Sequence, residues 1–170
     1  MSDPLDIVTL PAAKKFLGMD DGVTDEDLQL ADFITGITPV VEREVGPVVA
    51  REVTDIIYPS SNLPVPLPRW PVVSITAGAL LRDSSAVDTS KMVFDNGMIF
   101  TSDSSPMPSE PWRLTYVVGR DPVPQNLRLG ALEILDLAWA TQRDQDPPAF
   151  LISFRAMAWL KPDPPLPGFA

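Results

Sequence analysis

The chain of 170 residues contains no cysteine and no histidine. Without cysteine there is no disulfide, no thiolate nucleophile and no thiolate metal ligand. Without histidine there is no Ser-His or Cys-His catalytic arrangement and no zinc site of the usual kind. An ordinary hydrolase is therefore disfavoured, and only carboxylate, lysine or tyrosine chemistry stays open. No uninterrupted run of about 18 apolar residues occurs, so no membrane-spanning helix and no membrane partner are expected. The opening Met1-Ser-Asp-Pro-Leu-Asp6 is acidic and lacks the basic-then-apolar layout of a signal peptide, which points to a soluble protein made in the cytoplasm. Positive charge is scarce too: 13 Lys and Arg face 23 Asp and Glu, for a net charge of −10. A basic footprint for gripping DNA is absent, so sequence-specific nucleic-acid binding is not expected.

The remaining composition is that of a globular chain. Hydrophobic residues make up 45% of it, and the length suits one domain with a real core, placed at residues 1–160. Residues 7–18 read as a short helix, with Thr9 as cap, Pro11 in the first turn and Gly18 past the end. Ala12, Ala13, Phe16 and Leu17 form its apolar stripe. Residues 24–45 read as a second helix, capped by Thr24. Leu30, Ile34, Ile37, Val41 and Val45 recur on its buried face, and Pro39 is expected to kink or divide it. Strands are expected within 51–118: Arg51–Tyr58, Val72–Leu81, a hairpin over Lys91–Thr101, and Trp112–Val118. Asn96-Gly97 supplies the two positive-φ positions of a tight turn, which sets Phe94 opposite Ile99 and Val93 opposite Phe100. Pro59–Arg69, with prolines at 59, 64, 66 and 68, reads as a loop.

The strand Trp112–Val118 runs through Gly119-Arg-Asp-Pro-Val-Pro124 into a helix over 124–143. Gly119 ends the strand, and Pro122 and Pro124 stiffen the turn, making these three the candidate structural hinge. On the helix, Leu127, Ala131, Ile134, Leu135, Ala138 and Trp139 form a wide apolar face, while Leu129, Leu132 and Leu137 add apolar surface elsewhere. Such a helix is buried on more than one side, by its own domain or by a neighbouring subunit. Residues 149–160 read as a last helix and 161–170 as a proline-rich tail. The fold class is α+β: helices near both termini packed around a small antiparallel sheet with a β-hairpin.

No motif selects a chemistry. Asp20-Asp21-Gly22 followed by Asp25-Glu26-Asp27 has the wrong spacing for a calcium loop and reads as a helix start, where acids complement the positive helix end. Asp95, Asp103, Glu110 and Asp121 offer carboxylate pairs, but nothing singles out two of them as a glycosidase acid and base. Gly119-Arg120-Asp121 is not an adhesion triplet, and Arg120 is expected to pair with a nearby acid. No cofactor and no metal are expected. The last helix is strongly apolar for its length, which fits either core packing or a docking segment whose burial is completed on a partner.

The order of these features resembles the head–tail connector (adaptor) proteins of tailed bacteriophages. Val8-Thr-Leu-Pro-Ala-Ala-Lys-Lys-Phe-Leu-Gly-Met-Asp-Asp21 is similar to the family's opening helix and acidic turn. Leu67-Pro-Arg-Trp-Pro-Val-Val-Ser-Ile75 is similar to its proline-valine approach to a strand. Leu114-Thr-Tyr-Val-Val-Gly-Arg-Asp-Pro-Val-Pro-Gln-Asn-Leu127 is similar to its strand, glycine turn, Val-Pro and helix. Phe150–Pro162 is similar to its closing segment. The chain departs from the pattern at Arg120, where the family usually has an aromatic residue. The resemblance implies a non-enzymatic virion protein at the head–tail junction, present in the host cytoplasm during assembly. It implies a homo-oligomeric ring, commonly twelve-fold, beneath the portal protein. Such a ring extends the channel through which genomic DNA passes and presents a surface to the next head-completion or tail protein. Candidate portal-docking residues are then Phe150, Phe154, Trp159, Leu160 and Phe169. Candidate lumen-facing acids are Asp25, Glu26 and Asp27. The alternatives are another tail-completion or baseplate-associated structural protein and, further off, a carboxylate-based enzyme.

Overall fold

A computed structural model describes residues 5–22, 24–58, 64–103, 105–142, 144–145 and 148–160. The chain divides into two compact units, Met1–Val48 with Val123–Ala170, and Val49–Pro122. Among the described residues there are four helices and two small antiparallel sheets, an α+β fold with helices near both ends. No helix of the described residues is long and apolar enough to cross a membrane.

The first unit is helical: α1 (Leu10–Leu17), α2 (Asp27–Val45), α3 (Gln125–Gln142) and α4 (Phe154–Leu160). Gly18 ends α1 in the left-handed conformation at φ 70°, as its position in the sequence predicts. The apolar stripe of α1 differs from expectation. Ala13 and Lys14 are buried, whereas Ala12 and Phe16 are exposed. Lys14 is buried because its ammonium meets the Asp27 carboxylate at 2.6 Å. That pairing with a carboxylate offsets the cost of taking the charge out of water. Helix α2 begins at Asp27, three residues after Thr24, and runs unbroken through Pro39. Leu30, Ile34, Ile37 and Val41 are buried on it as the spacing predicts, together with Phe33.

Helix α3 packs against each of the other three helices, so it is the central helix of this unit. All six residues of its predicted face are buried, while Leu129, Leu132 and Leu137 are half-buried. Phe33 is the aromatic pivot, edge-on to Trp139 at 5.4 Å and to Phe150 at 5.6 Å between ring centroids. Helix α4 starts at Phe154 rather than near 149 because Ser153 caps it. The Ala156 N–H donates to Ser153 Oγ at 3.0 Å, and the Met157 N–H donates to the Ser153 carbonyl at 2.9 Å.

The second unit holds both sheets. One has strand order β1-β7-β3-β4, from Arg51–Ile57, Trp112–Val118, Val72–Leu80 and Ala86–Val87. The other has order β2-β6-β5, from Val65–Pro66, Met98–Thr101 and Met92–Asp95. The hairpin therefore does not extend the sheet of Trp112–Val118, as the sequence reading supposed. Its outer partner is the short strand at Val65–Pro66, which pairs with Ile99 and Met98. Within the hairpin the register is as predicted, with Val93 opposite Phe100 and Phe94 opposite Ile99. Asn96 and Gly97 take φ 46° and 74°. Trp112, Leu114, Tyr116 and Val118 alternate inward from the central strand β7 and are fully buried.

Candidate functional site

Among the described residues, no cluster of three or more acidic side chains is placed to hold a metal ion. The residues that stand out are instead exposed apolar side chains held in fixed positions, and they lie on both units.

On the helical unit the last segment divides into two sides. Leu160 is 1% exposed and Ala156 is fully buried, and Phe150 packs on Phe33. The ring of Phe150 also occupies the space beside Gly36, where a β-carbon would come within 2.6 Å of it. Leu160 and Ala156 belong to the core of the unit, and Phe150 packs half-buried against it. Phe154, by contrast, is 90% exposed, Leu151 59% and Trp159 39%. Phe154 and Ala158, four residues apart on α4, share its outward face, and Leu151 is exposed in the segment just before the helix. This face is braced on α3: Arg155 pairs with Glu133 at 3.0 Å, and the Asn126 amide donates to the Trp159 carbonyl at 3.0 Å. Of the candidate docking residues, the structure thus exposes Phe154 and Trp159, buries Leu160 and leaves Phe150 half-buried against Phe33, while Phe169 lies outside the described residues. Leu151 was missed: it lies before the Ser153 cap, where no helical period applies and no signal in the sequence marks it.

The candidate acids also divide. Asp25 is exposed and Glu26 half-buried, whereas Asp27 is tied to Lys14. A carboxylate committed to a buried ammonium is already neutralised locally.

On the β unit, Trp70 is 60% exposed and stands over the hairpin tip, within 3.5 Å of where a β-carbon on Gly97 would lie. Its backbone is secured on both sides. Arg69 pairs with Asp55 at 3.3 Å, and Asp55 also accepts the Tyr116 hydroxyl hydrogen bond at 2.7 Å. Burial, and then that bond to Asp55, raises the Tyr116 phenol above its ordinary value of 10.0, so it stays a donor at any physiological pH. On the other side the Pro71 carbonyl accepts the Gly119 N–H at 2.9 Å. Trp70, Pro71, Phe94, Asp95, Asn96 and Gly97 together line an open groove of about 390 Å³.

The candidate hinge is tightly made. Gly119 has φ 112°, and a β-carbon there would meet the Val49 carbonyl oxygen at 2.5 Å. The position therefore requires glycine for both its dihedral and its space. Val49 and Arg120 form a bridge, so the outgoing and returning segments of the β unit are pinned side by side. The Asp121–Pro122 peptide is cis. Pro124 lies just before α3, and its carbonyl accepts the Leu127 and Arg128 N–H groups at 3.2 Å.

No family model matches the chain, and no curated protein matches it. Solved structures do. A chain in the neck of an empty gene transfer agent particle, computed with C6 symmetry, aligns with TM-score 0.70 and 16% identity, covering 95% of this chain and 92% of that one. A chain in the virion of the native gene transfer agent particle aligns with TM-score 0.67 and 14% identity, over 96% and 97% of the two chains. A chain in the neck of the native particle, computed with C12 symmetry, gives 0.64 and 15% over the same shares. The fold is thus shared, over nearly the full length, with neck and virion chains of a phage-like particle.

Proposed function

We propose that this chain is a structural subunit of the neck of a tailed phage or phage-like particle, where its copies form a head–tail connector ring. The observation that carries the reading is the likeness to a neck chain over 95% of this chain. The likeness spans both units, which argues for a shared role of the whole chain rather than of a borrowed module. The residues agree with it: functional potential lies in exposed apolar side chains, as an assembly protein requires.

In this reading the ring, twelve-fold in the virion, docks under the portal protein through the exposed face of Leu151, Phe154 and Trp159. It extends the DNA channel and offers its other side to the next head-completion or tail protein. Asp25 and Glu26 face the channel. Their charge, repeated around the ring, repels the DNA backbone and limits sticking, so genomic DNA passes without specific binding. Gly119, Pro122 and Pro124 form a structural hinge that is repeated in every subunit. The chain has no enzymatic role; it acts by assembly in the virion after synthesis in the host cytoplasm.

Electron microscopy of particles carrying the chain tests this. Density for the chain between portal and tail supports it. Density on the tail tube or in the baseplate would replace it with a tail-completion role.

A further inference from the structure

We infer that the Trp70 groove is a receptor for a proline-rich segment, and that its occupant is the 161–170 tail of a neighbouring copy of this chain. Three features of the groove carry this. Trp70 and Phe94, both exposed, give it two aromatic walls. The Trp70 ring rests against Gly97, where the missing side chain leaves room for it. Trp70 is pre-positioned by the Arg69–Asp55–Tyr116 chain and by the Gly119–Pro71 hydrogen bond. Little side-chain ordering therefore remains to oppose binding, and an anchored tryptophan is the residue type that most often dominates an interface.

Aromatic-lined grooves of this kind suit polyproline II segments, whose rings and fixed φ angles bring low ordering cost. The tail Lys161-Pro-Asp-Pro-Pro-Leu-Pro-Gly-Phe-Ala170 has prolines at 162, 164, 165 and 167 and an aromatic at 169. In polyproline II its ten residues reach about 31 Å. Asp95 in the groove offers a negative charge to the tail's Lys161.

The choice of a neighbouring copy rests on the ring proposed above. A ring closes through heterologous contacts, in which one patch of a subunit meets a different patch of the next. Tail and groove are two such patches. The assignment gives Phe169 to the neighbouring subunit rather than to the portal.

The test uses full-length chains. A synthetic peptide of residues 161–170 is titrated into a chain whose tail carries Pro164→Ser, Pro165→Ser, Pro167→Ser and Phe169→Ser, and the indole N–H signals are followed by NMR. Saturable shifts at Trp70 are expected, and calorimetry of the same titration is expected to show binding weakened tenfold or more by Trp70→Ala. Phe94→Ala serves as a second variant with the same expected loss. No saturable shift, or equal binding to both groove variants, overturns the inference. Source is decided by mixing. A Trp70→Ala chain, which keeps its tail, and the tail variant, which keeps its groove, are each expected to stay unassociated alone and to pair when combined, read by sedimentation. A mixture that does not pair while the peptide binds would place the tail in its own chain's groove and overturn the neighbour assignment. Pairing in solution with the chain found outside the neck in particles would sink the ring reading alone. A chain located in the neck without pairing would sink this inference alone.

Discussion

Leu160 fills the space that a β-carbon on Gly130 would need: its Cδ2 lies 2.6 Å and its Cγ 2.9 Å from that position. The central helix α3 thus carries a glycine where α4 must come close, at a cost in helix propensity of about 1 kcal/mol relative to alanine. Gly130→Ala is expected to recover that propensity and still lower stability. Forcing a fully buried leucine to repack costs about 1–3 kcal/mol, and Gly130→Val should cost more. Denaturant midpoints check the order. A stabilised Gly130→Ala would show that α4 yields freely.

The two sides of α4 are expected to respond oppositely. Leu160→Ala removes a side chain that is 1% exposed and should cost about 2–5 kcal/mol of stability. Phe154→Ser alters a side chain that is 90% exposed and should change stability by less than about 0.5 kcal/mol, while reducing binding to the portal protein at least tenfold. A portal pull-down with both variants separates the roles. Deleting everything after residue 143 would be a poorer test, because it removes core along with surface. Unchanged portal binding by Phe154→Ser and Trp159→Ser together would dismiss this face as the docking site.

At Gly119, alanine meets both a forbidden dihedral and the Val49 carbonyl. Each effect costs about 1–3 kcal/mol, so Gly119→Ala should unfold the β unit at markedly lower denaturant. Pro122→Gly with Pro124→Gly is a different experiment. It loosens the unfolded chain by about 1–2 kcal/mol in total and should leave the fold intact while impairing assembly into particles. Loss of the folded chain in that double variant would make the connection core structure only.

The Tyr116 phenol gives a pH signature. Its folded-state value is raised, so the stabilisation it provides is complete below the ordinary 10.0 and is lost as pH climbs above that toward the higher folded-state value. In a Tyr58→Phe background, the phenolate absorbance of the folded chain should still be missing at pH 11 and appear on unfolding. Tyr116→Phe should abolish the alkaline loss and cost about 1–3 kcal/mol at neutral pH, since Asp55 Oδ2 then loses its hydrogen bond while Oδ1 keeps Arg69. Ordinary titration of the folded phenol near 10 would mean that the Asp55 contact is not held in solution.

Much of this was legible because it is local. The six-residue face of α3 follows from a 3.6-residue period, which depends only on which residues neighbour one another along the chain. The 91–101 hairpin follows from Asn96-Gly97, since two positive φ angles in succession admit almost no other turn. Gly18 and Gly119 could be placed as terminators for the same reason. The last helix is shorter than its apolar run 149–160 suggests because the Ser153 hydroxyl caps it.

What the sequence by itself determined about this protein is its α+β class, the order of its four helices and longer strands, and the absence of thiol and imidazole chemistry, all properties of composition and short-range spacing. Tertiary structure alone decided which apolar residues are core and which are surface. Phe150 and Phe154 are the same residue four positions apart, yet one packs on Phe33 and the other is 90% exposed. Tertiary structure also sent the hairpin to Val65–Pro66, and it set Trp70 on Gly97. Those outcomes depend on which distant segments compete for the same surface, and burial energy, unlike helical period or turn geometry, is not written in neighbouring letters.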